Sequence, residues 1–163
     1  MTKREQEVVK TSFESDMDKA RIAERITWDI LQHRSDTKQV IDVRDIKRYQ
    51  RMDVDFLWET LDKEIYYIET KLDTMMHRTG NIAYEVSTSG NIGCFEKTEA
   101  QLMFYYDFEG KIMYVIQVAK LRAYVKQANL ELIRMGDNAT GHLIKVNDLI
   151  AQKIISKVYE NME

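Results

Sequence analysis

The chain has 163 residues, 44% of them apolar and 31% charged, with a formal net charge of −3. It is long enough to bury a core within one domain and too apolar for a disordered chain. No run approaches the roughly 18 apolar residues of a membrane helix, and the N-terminal MTKREQEVVK lacks the apolar stretch of a secretion signal. The lone Cys94 makes no internal disulfide, and without a Cys/His cluster a structural zinc site is not expected. The expected compartment is therefore a reducing cytoplasm, bacterial or that of a host cell, with no membrane partner.

One domain over residues 1–163 is expected, with 1–12 a polar, fraying segment. Residues 13–33 predict a helix. Phe13, Met17, Ala20, Ala23, Ile26, Thr27, Ile30 and Leu31 recur at steps of three and four, and Ser15 or Asp16 would cap the start. Glu24 falls at the edge of that stripe. VIDV (40–43) predicts a short strand, and residues 44–53 a polar connection with one helical turn. VDFLW (54–58) and IYYIETKL (65–72) predict paired strands. A loop over 73–81, a strand NIAYEV (81–86) and a loop STSGNIG (87–93) follow. LMFYY (102–106) and KIMYVIQV (111–118) predict a hairpin joined at DFEGK. A helix over 119–135 would be capped by Gly136. HLIKV (142–146) predicts a strand and residues 147–160 a closing helix. The order of elements predicts an α/β or α+β domain, a central mixed β-sheet flanked by helices.

The hairpin carries the most informative side chains. Paired about residue 62, its positions sum to 124, which sets Asp55 opposite Glu69. Side chains two apart share a strand face, so Tyr67, Glu69 and Lys71 point together and Ile68, Thr70 and Leu72 point into the core. Two opposed carboxylates repel unless they are protonated, solvated or bridged by a cation. Magnesium favours such oxygen donors, and the backbone carbonyl of Thr70 is placed to join them. Lys71 would then orient a water or offset charge developing on a phosphate. The residue types alone leave two readings open: a solvated face in which Lys71 neutralises Asp55 and Glu69, or a metal site. Against the first, both acids lie in apolar strands.

The pattern D…ExK on a hairpin, with an upstream helix carrying a glutamate, resembles the PD-(D/E)XK nuclease superfamily in its small phage-type members. DVRDIKRYQRMDVDFLW resembles their lead-in, HRTGNIAYEV the segment after the catalytic lysine, and KLRAYV and TGHLIKVNDL the following helix and last strand. The match runs over residues 16–150. The proline of the family's name is missing, since Met52-Asp53 precede Val54-Asp55, and Asn91-Ile92-Gly93-Cys94 stands where a Gly-Trp pair is expected. The resemblance implies a restriction-endonuclease-like core and a hydrolase acting on phosphodiester bonds, a DNA endonuclease. Asp55 and Glu69 would bind Mg²⁺ or Mn²⁺ and Lys71 would assist the nucleophilic water. Glu24 would match the first-helix acid that reaches the metal; the competing account pairs it with Arg21 or Arg25. Gln50 fits the lead-in as a site contact or as a polar turn residue, and Glu85 would line the cleft or serve the structure.

Residues 34–51 hold six basic groups against three acidic ones, and residues 111–126 hold four against none. Arg44, Lys47, Arg48 and Arg51, with Gln50, form the candidate nucleic-acid contact, double-stranded or branched DNA being the expected partner and a homodimer an expected assembly. His33, His77 and His142 are scattered and support no acyl transfer. Tyr105, Tyr106 and Tyr114 are core first and base-stacking candidates second. The reading from a different class is a non-catalytic protein on the same fold that binds nucleic acid or inhibits another protein; the intact D…ExK favours the enzyme.

Overall fold

The computed structural model describes residues 2–163, the side chains of residues 7–14 lying outside that description. Phe13, at the head of the expected apolar stripe, is among them. Helix α1 spans Lys3–His33. It begins ten residues before the expected start because Thr2, not Ser15 or Asp16, caps it: the Thr2 hydroxyl accepts from the Glu5 N–H at 3.2 Å and the Glu5 carboxylate reaches back to the Thr2 N–H. Met17 is exposed, and the face buried against the sheet begins at Ala23 and continues through Ile26, Thr27, Ile30 and Leu31.

Six strands make the main sheet: β1 (Thr37–Asp42), β2 (Phe56–Thr60), β3 (Ile65–Asp73), β6 (Leu102–Asp107), β7 (Ile112–Gln117) and β10 (Ile155–Tyr159), in the order β1-β2-β3-β6-β7-β10. Every neighbour is antiparallel except β3 with β6, which run parallel at the centre. This is the mixed sheet flanked by helices that the sequence predicts. Its alternating residues build two cores. Phe56, Trp58, Ile68, Phe104 and Tyr106 face α1, and Met103, Tyr105 and Ile116 face the other way.

On that second side lies a four-stranded sheet that the sequence reading does not contain. It consists of β4 (Asn81–Thr88), β5 (Asn91–Ile92), β8 (Ile133–Met135) and β9 (Ala139–Lys145) in the order β5-β4-β9-β8. Ile82, Tyr84 and Ile144 from it, with Leu121 of α5 (Val118–Gln127) and Leu149 of α6 (Val146–Ala151), fill the space against Met103 and Tyr105. Short helices α2 (Lys47–Arg51), α3 (Met76–Thr79) and α4 (Cys94–Lys97) complete the chain.

Two expected helices are corrected. The helix over 119–135 stops at Gln127. Asn129 takes a left-handed conformation, φ +48°, and Ile133–Met135 pairs with β9. Gly136, expected as its cap, instead turns β8 into β9 at φ +64°. The closing helix over 147–160 stops at Ala151. Lys153 turns at φ +56°, and Ile155–Tyr159 becomes the edge strand β10, whose β-branched residues suit a pleated surface. No helix among the described residues is long and apolar enough to cross a membrane.

Candidate active site

The hairpin pairs in the predicted register: Phe56 with Ile68, Leu57 with Tyr67, Trp58 with Tyr66. Asp55 immediately precedes that ladder, and β2 offers Glu69 no partner. There β2 has ended, and the chain before it turns toward β1, with the Val43 N–H donating to the Asp55 carbonyl at 3.0 Å. Asp55 takes the place of the missing strand. Its own N–H donates to the Ile68 carbonyl and its Oδ2 accepts from the Thr70 N–H, both at 2.8 Å, so that it brackets Glu69. A residue in an antiparallel ladder sends its N–H and C=O to the same side. The Thr70 carbonyl therefore also faces the notch that β2 leaves.

Helix α1 is fixed over this notch by a buried polar contact. The Thr70 hydroxyl donates to the Thr27 hydroxyl at 3.0 Å, and Thr27 donates to the Ala23 carbonyl at 3.0 Å. Glu24, one turn before Thr27, is thereby brought beside Asp55. It pairs with neither Arg21 nor Arg25. Arg44 Nη1 holds it at 2.5 Å while the other side of the same guanidinium grips Asp42, Nη2 to Oδ2 at 2.6 Å. Arg44 also lies over the Phe56 ring, 5.3 Å from its centre. Gln50 turns back to donate to the Arg44 carbonyl at 2.8 Å, which accounts for it as a turn residue.

Glu69 and Lys71 point away from α1, into the layer between the two sheets, with Cys94 of α4 and Glu85 of β4 beside Lys71. The placement of Cys94 depends on Gly93. A Cβ there would lie 1.7 Å from the Glu85 carbonyl oxygen, so only glycine lets the chain press this close to β4 before α4 begins. Arg122 of α5 ties α4 down by donating to the carbonyls of Phe95, at 2.6 Å, and Thr98. The GCF sequence carried a signal that sequence reading passed over: a glycine immediately before the only thiol.

Burial dominates the electrostatics. The Asp55 carboxyl is pushed up to about 6, by desolvation first, with Glu24 and Asp42 adding to it and the Thr70 N–H and Arg44 opposing. Glu69 is pushed up to about 10, by desolvation and then by the charges of Asp55, Asp53 and Glu24, which Lys71 only partly offsets. Burial works to lower the Lys71 ammonium, but Cys94, Glu85 and Glu69 outweigh it and the net shift is upward. Desolvation raises the Cys94 thiol despite Lys71. Lys71 is thus a fixed cation and Cys94 a neutral thiol near pH 7.

The donors fit a hard divalent ion. Two adjacent carboxyl groups, which a cation would hold ionised, and a carbonyl facing the same notch are oxygen ligands, and magnesium ordinarily takes one or two carboxylates and completes its shell with water and phosphate. Among the described residues no group of three or more His, Cys, Asp or Glu is arranged as a ready cage. Glu24 would complete such a group only by leaving Arg44.

The candidate nucleic-acid residues divide. Arg44 is committed to Asp42 and Glu24. Lys47, Arg48 and Arg51 lie exposed on α2, and none of them is in an ion pair among the described residues. Elsewhere in the basic segments, Arg34 is held by Asp36 and Tyr159, and Lys111 pairs with Glu163. His33, His77 and His142 contact Asp29, Asp107 and Glu131 in three separate places. Tyr105 and Tyr106 are core, as expected, and Tyr105 donates to Asp73 at the end of β3.

No protein-family model, no curated protein and no solved structure matches the chain.

Proposed function

We propose that the chain is a metal-dependent nuclease of the cytoplasm that hydrolyses phosphodiester bonds in DNA, with Mg²⁺ or Mn²⁺ held by Asp55, Glu69 and the Thr70 carbonyl. The observation that supports this is the bracketing of Glu69 by Asp55 at the notch where β2 ends: two dehydrated carboxyl groups, both of raised pKa, with a lysine one pleat along. A purely structural hairpin gains nothing from burying two acids side by side. The ion, when bound, would acidify a water and offset charge on phosphate oxygens. Lys71, charged near neutral pH, serves as a donor that orients the water or steadies the phosphate; it is not a base. Lys47, Arg48 and Arg51 offer exposed cations to the backbone of the nucleic acid. DNA as the substrate follows the motif resemblance.

The test is plasmid cleavage with Mn²⁺ or Mg²⁺ by the wild type, Glu69→Ala and Lys71→Ala. Cleavage by the wild type, reduced at least about 100-fold in both variants, is expected for groups that act on the reacting phosphate. Equal behaviour of all three would favour a non-catalytic binding protein, a reading to which the engagement of Glu24 by Arg44 lends support.

A further inference from the structure

A cavity of about 250 Å³ lies on the α1 side of the candidate site. Its aromatic wall is Trp28 of α1, packed at 56° on the buried Phe56 of β2 with ring centres 5.7 Å apart. Its rim is basic. Arg21 and Arg25, one turn apart on α1, stand beside Trp28, and Arg44 closes the far side. Arg21 and Arg25 are loosely held, reaching Asp18 and Asp29 only at 3.8 and 3.5 Å with more than half of each side chain exposed. Both are free to turn to a ligand. The carboxylates in the lining, Glu24 and Asp42, are the two that Arg44 already neutralises.

The position matters as much as the composition. Phe56 follows Asp55 directly, and the charges of Glu24, Asp42 and Arg44 all act on the Asp55 carboxyl. The cavity therefore opens beside Asp55, one of the proposed metal ligands, on the α1 side of β3, while Glu69 and Lys71 point to the other side. An indole with two loosely held guanidinium groups beside it suits a flat ring joined to a phosphate, since aromatic faces take bases and arginines take phosphate oxygens. The cavity, about 250 Å³, is smaller than the roughly 300–1,000 Å³ of pockets for drug-sized ligands, a size that suits one planar group and its phosphate.

We infer that this cavity is a subsite for a single unpaired nucleotide next to the scissile bond, its base or sugar against Trp28 and its phosphate on Arg21 and Arg25. The inference rests on the nuclease reading and refines it: the strand being cut would have to be unpaired at that position. A frayed end, a flap or a branch would satisfy the site, and an unbroken duplex would not.

Trp28 reports on the cavity directly. The chain has two tryptophans, so Trp58→Phe leaves Trp28 as the sole indole. Should that variant fold poorly, the difference between the wild type and Trp28→Phe supplies the same signal. In chelator, where no metal-dependent cleavage occurs, the 5′-phosphorylated dinucleotide pdTdT should quench this emission saturably. The Kd should rise tenfold or more in Arg21→Gln/Arg25→Gln. No saturable quenching, or an unchanged Kd in the double variant, overturns the subsite. Cleavage of a 5′-flap and of a blunt duplex is then measured with Mn²⁺. A flap preference that the double variant loses supports the subsite. Cleavage of both substrates at equal rates overturns it while leaving the nuclease reading intact. Arginine-dependent quenching without any cleavage keeps the nucleotide site and removes the nuclease.

Discussion

Glu69 is a carboxyl that the fold dehydrates and then surrounds with other carboxylates. Its native titration near 10 lies far above its ordinary 4.5, and Asp55 moves from 3.8 to about 6. Over the interval from about 4.5 to about 10 the native state keeps a proton on Glu69 that the unfolded chain has lost. Stability therefore falls as pH rises through that interval: the contribution is full below the unfolded value and gone above the native one. Glu69→Gln should remove this dependence. In chelator the variant should gain on the wild type steadily between pH 5 and 9, exceeding it by at least about 1 kcal/mol at pH 8, since one pKa unit corresponds to about 1.4 kcal/mol. Mn²⁺ should raise the melting midpoint of the wild type and leave Glu69→Gln unmoved. Thermal denaturation across pH, with and without the ion, reads both effects; a difference between wild type and variant that does not change from pH 5 to 9 would mean that Glu69 is solvated. Gly93 makes a second, separable demand. Gly93→Ala puts a methyl group 1.7 Å from the Glu85 carbonyl and should cost about 2 kcal/mol or more. Gly80→Ala, in open space at φ +68°, should cost only about 1 kcal/mol. Urea titration of the pair separates overpacking from backbone strain.

At the scale of elements, the hairpin was legible in the sequence because alternation and a short loop fix each other. Once Ile68 faces inward, the sum of 124 and the pairing of Phe56 with Ile68 follow. Strands β8 and β10 were not legible, because what makes them strands is a partner far along the chain. Ile133–Met135 needs β9, and Ile155–Tyr159 needs the free edge of β7. Locally each reads as the continuation of a helix, and only Asn129 and Lys153, both left-handed, mark the break. The role of Arg44 was hidden for the same reason: its partner Glu24 is twenty residues away on another element. Helix α5 is shorter than expected but firmly seated, with Leu121 wholly buried between the two sheets. Leu121→Ala should cost about 2–5 kcal/mol by leaving a cavity there. Measured by urea denaturation, a loss below about 1 kcal/mol would show that α5 is not part of the core.

For the molecule as a whole, the net charge of −3 argues against a general attraction to nucleic acid, so any binding must come from a local surface. The unpaired cations of α2 are that surface. If Lys47, Arg48 and Arg51 each meet a phosphate, the logarithm of the affinity for duplex DNA should fall with the logarithm of salt concentration at a slope of about −3, and Arg48→Gln/Arg51→Gln should flatten it by about two. Fluorescence anisotropy in chelator measures the slope; an unchanged slope in the double variant would place the nucleic acid elsewhere. The general architecture, helices against a mixed sheet, was predictable from the order of elements. The second sheet was not, since two of its four strands are three residues or shorter and one was read as helix.

β3 is the third of six strands, hydrogen-bonded to β6 from Ile68 to Asp73 and covered on both faces. Glu69 and Lys71 thus ride on backbone that would be among the last to come apart, while Glu24, Arg44 and Cys94 arrive on outlying pieces. The alignment of the acids is inherited from the stiffest part of the chain and their surroundings from the most replaceable. Evolution or design can exchange those outlying pieces, and with them what is admitted to the acids, without redrawing the strand that aims them.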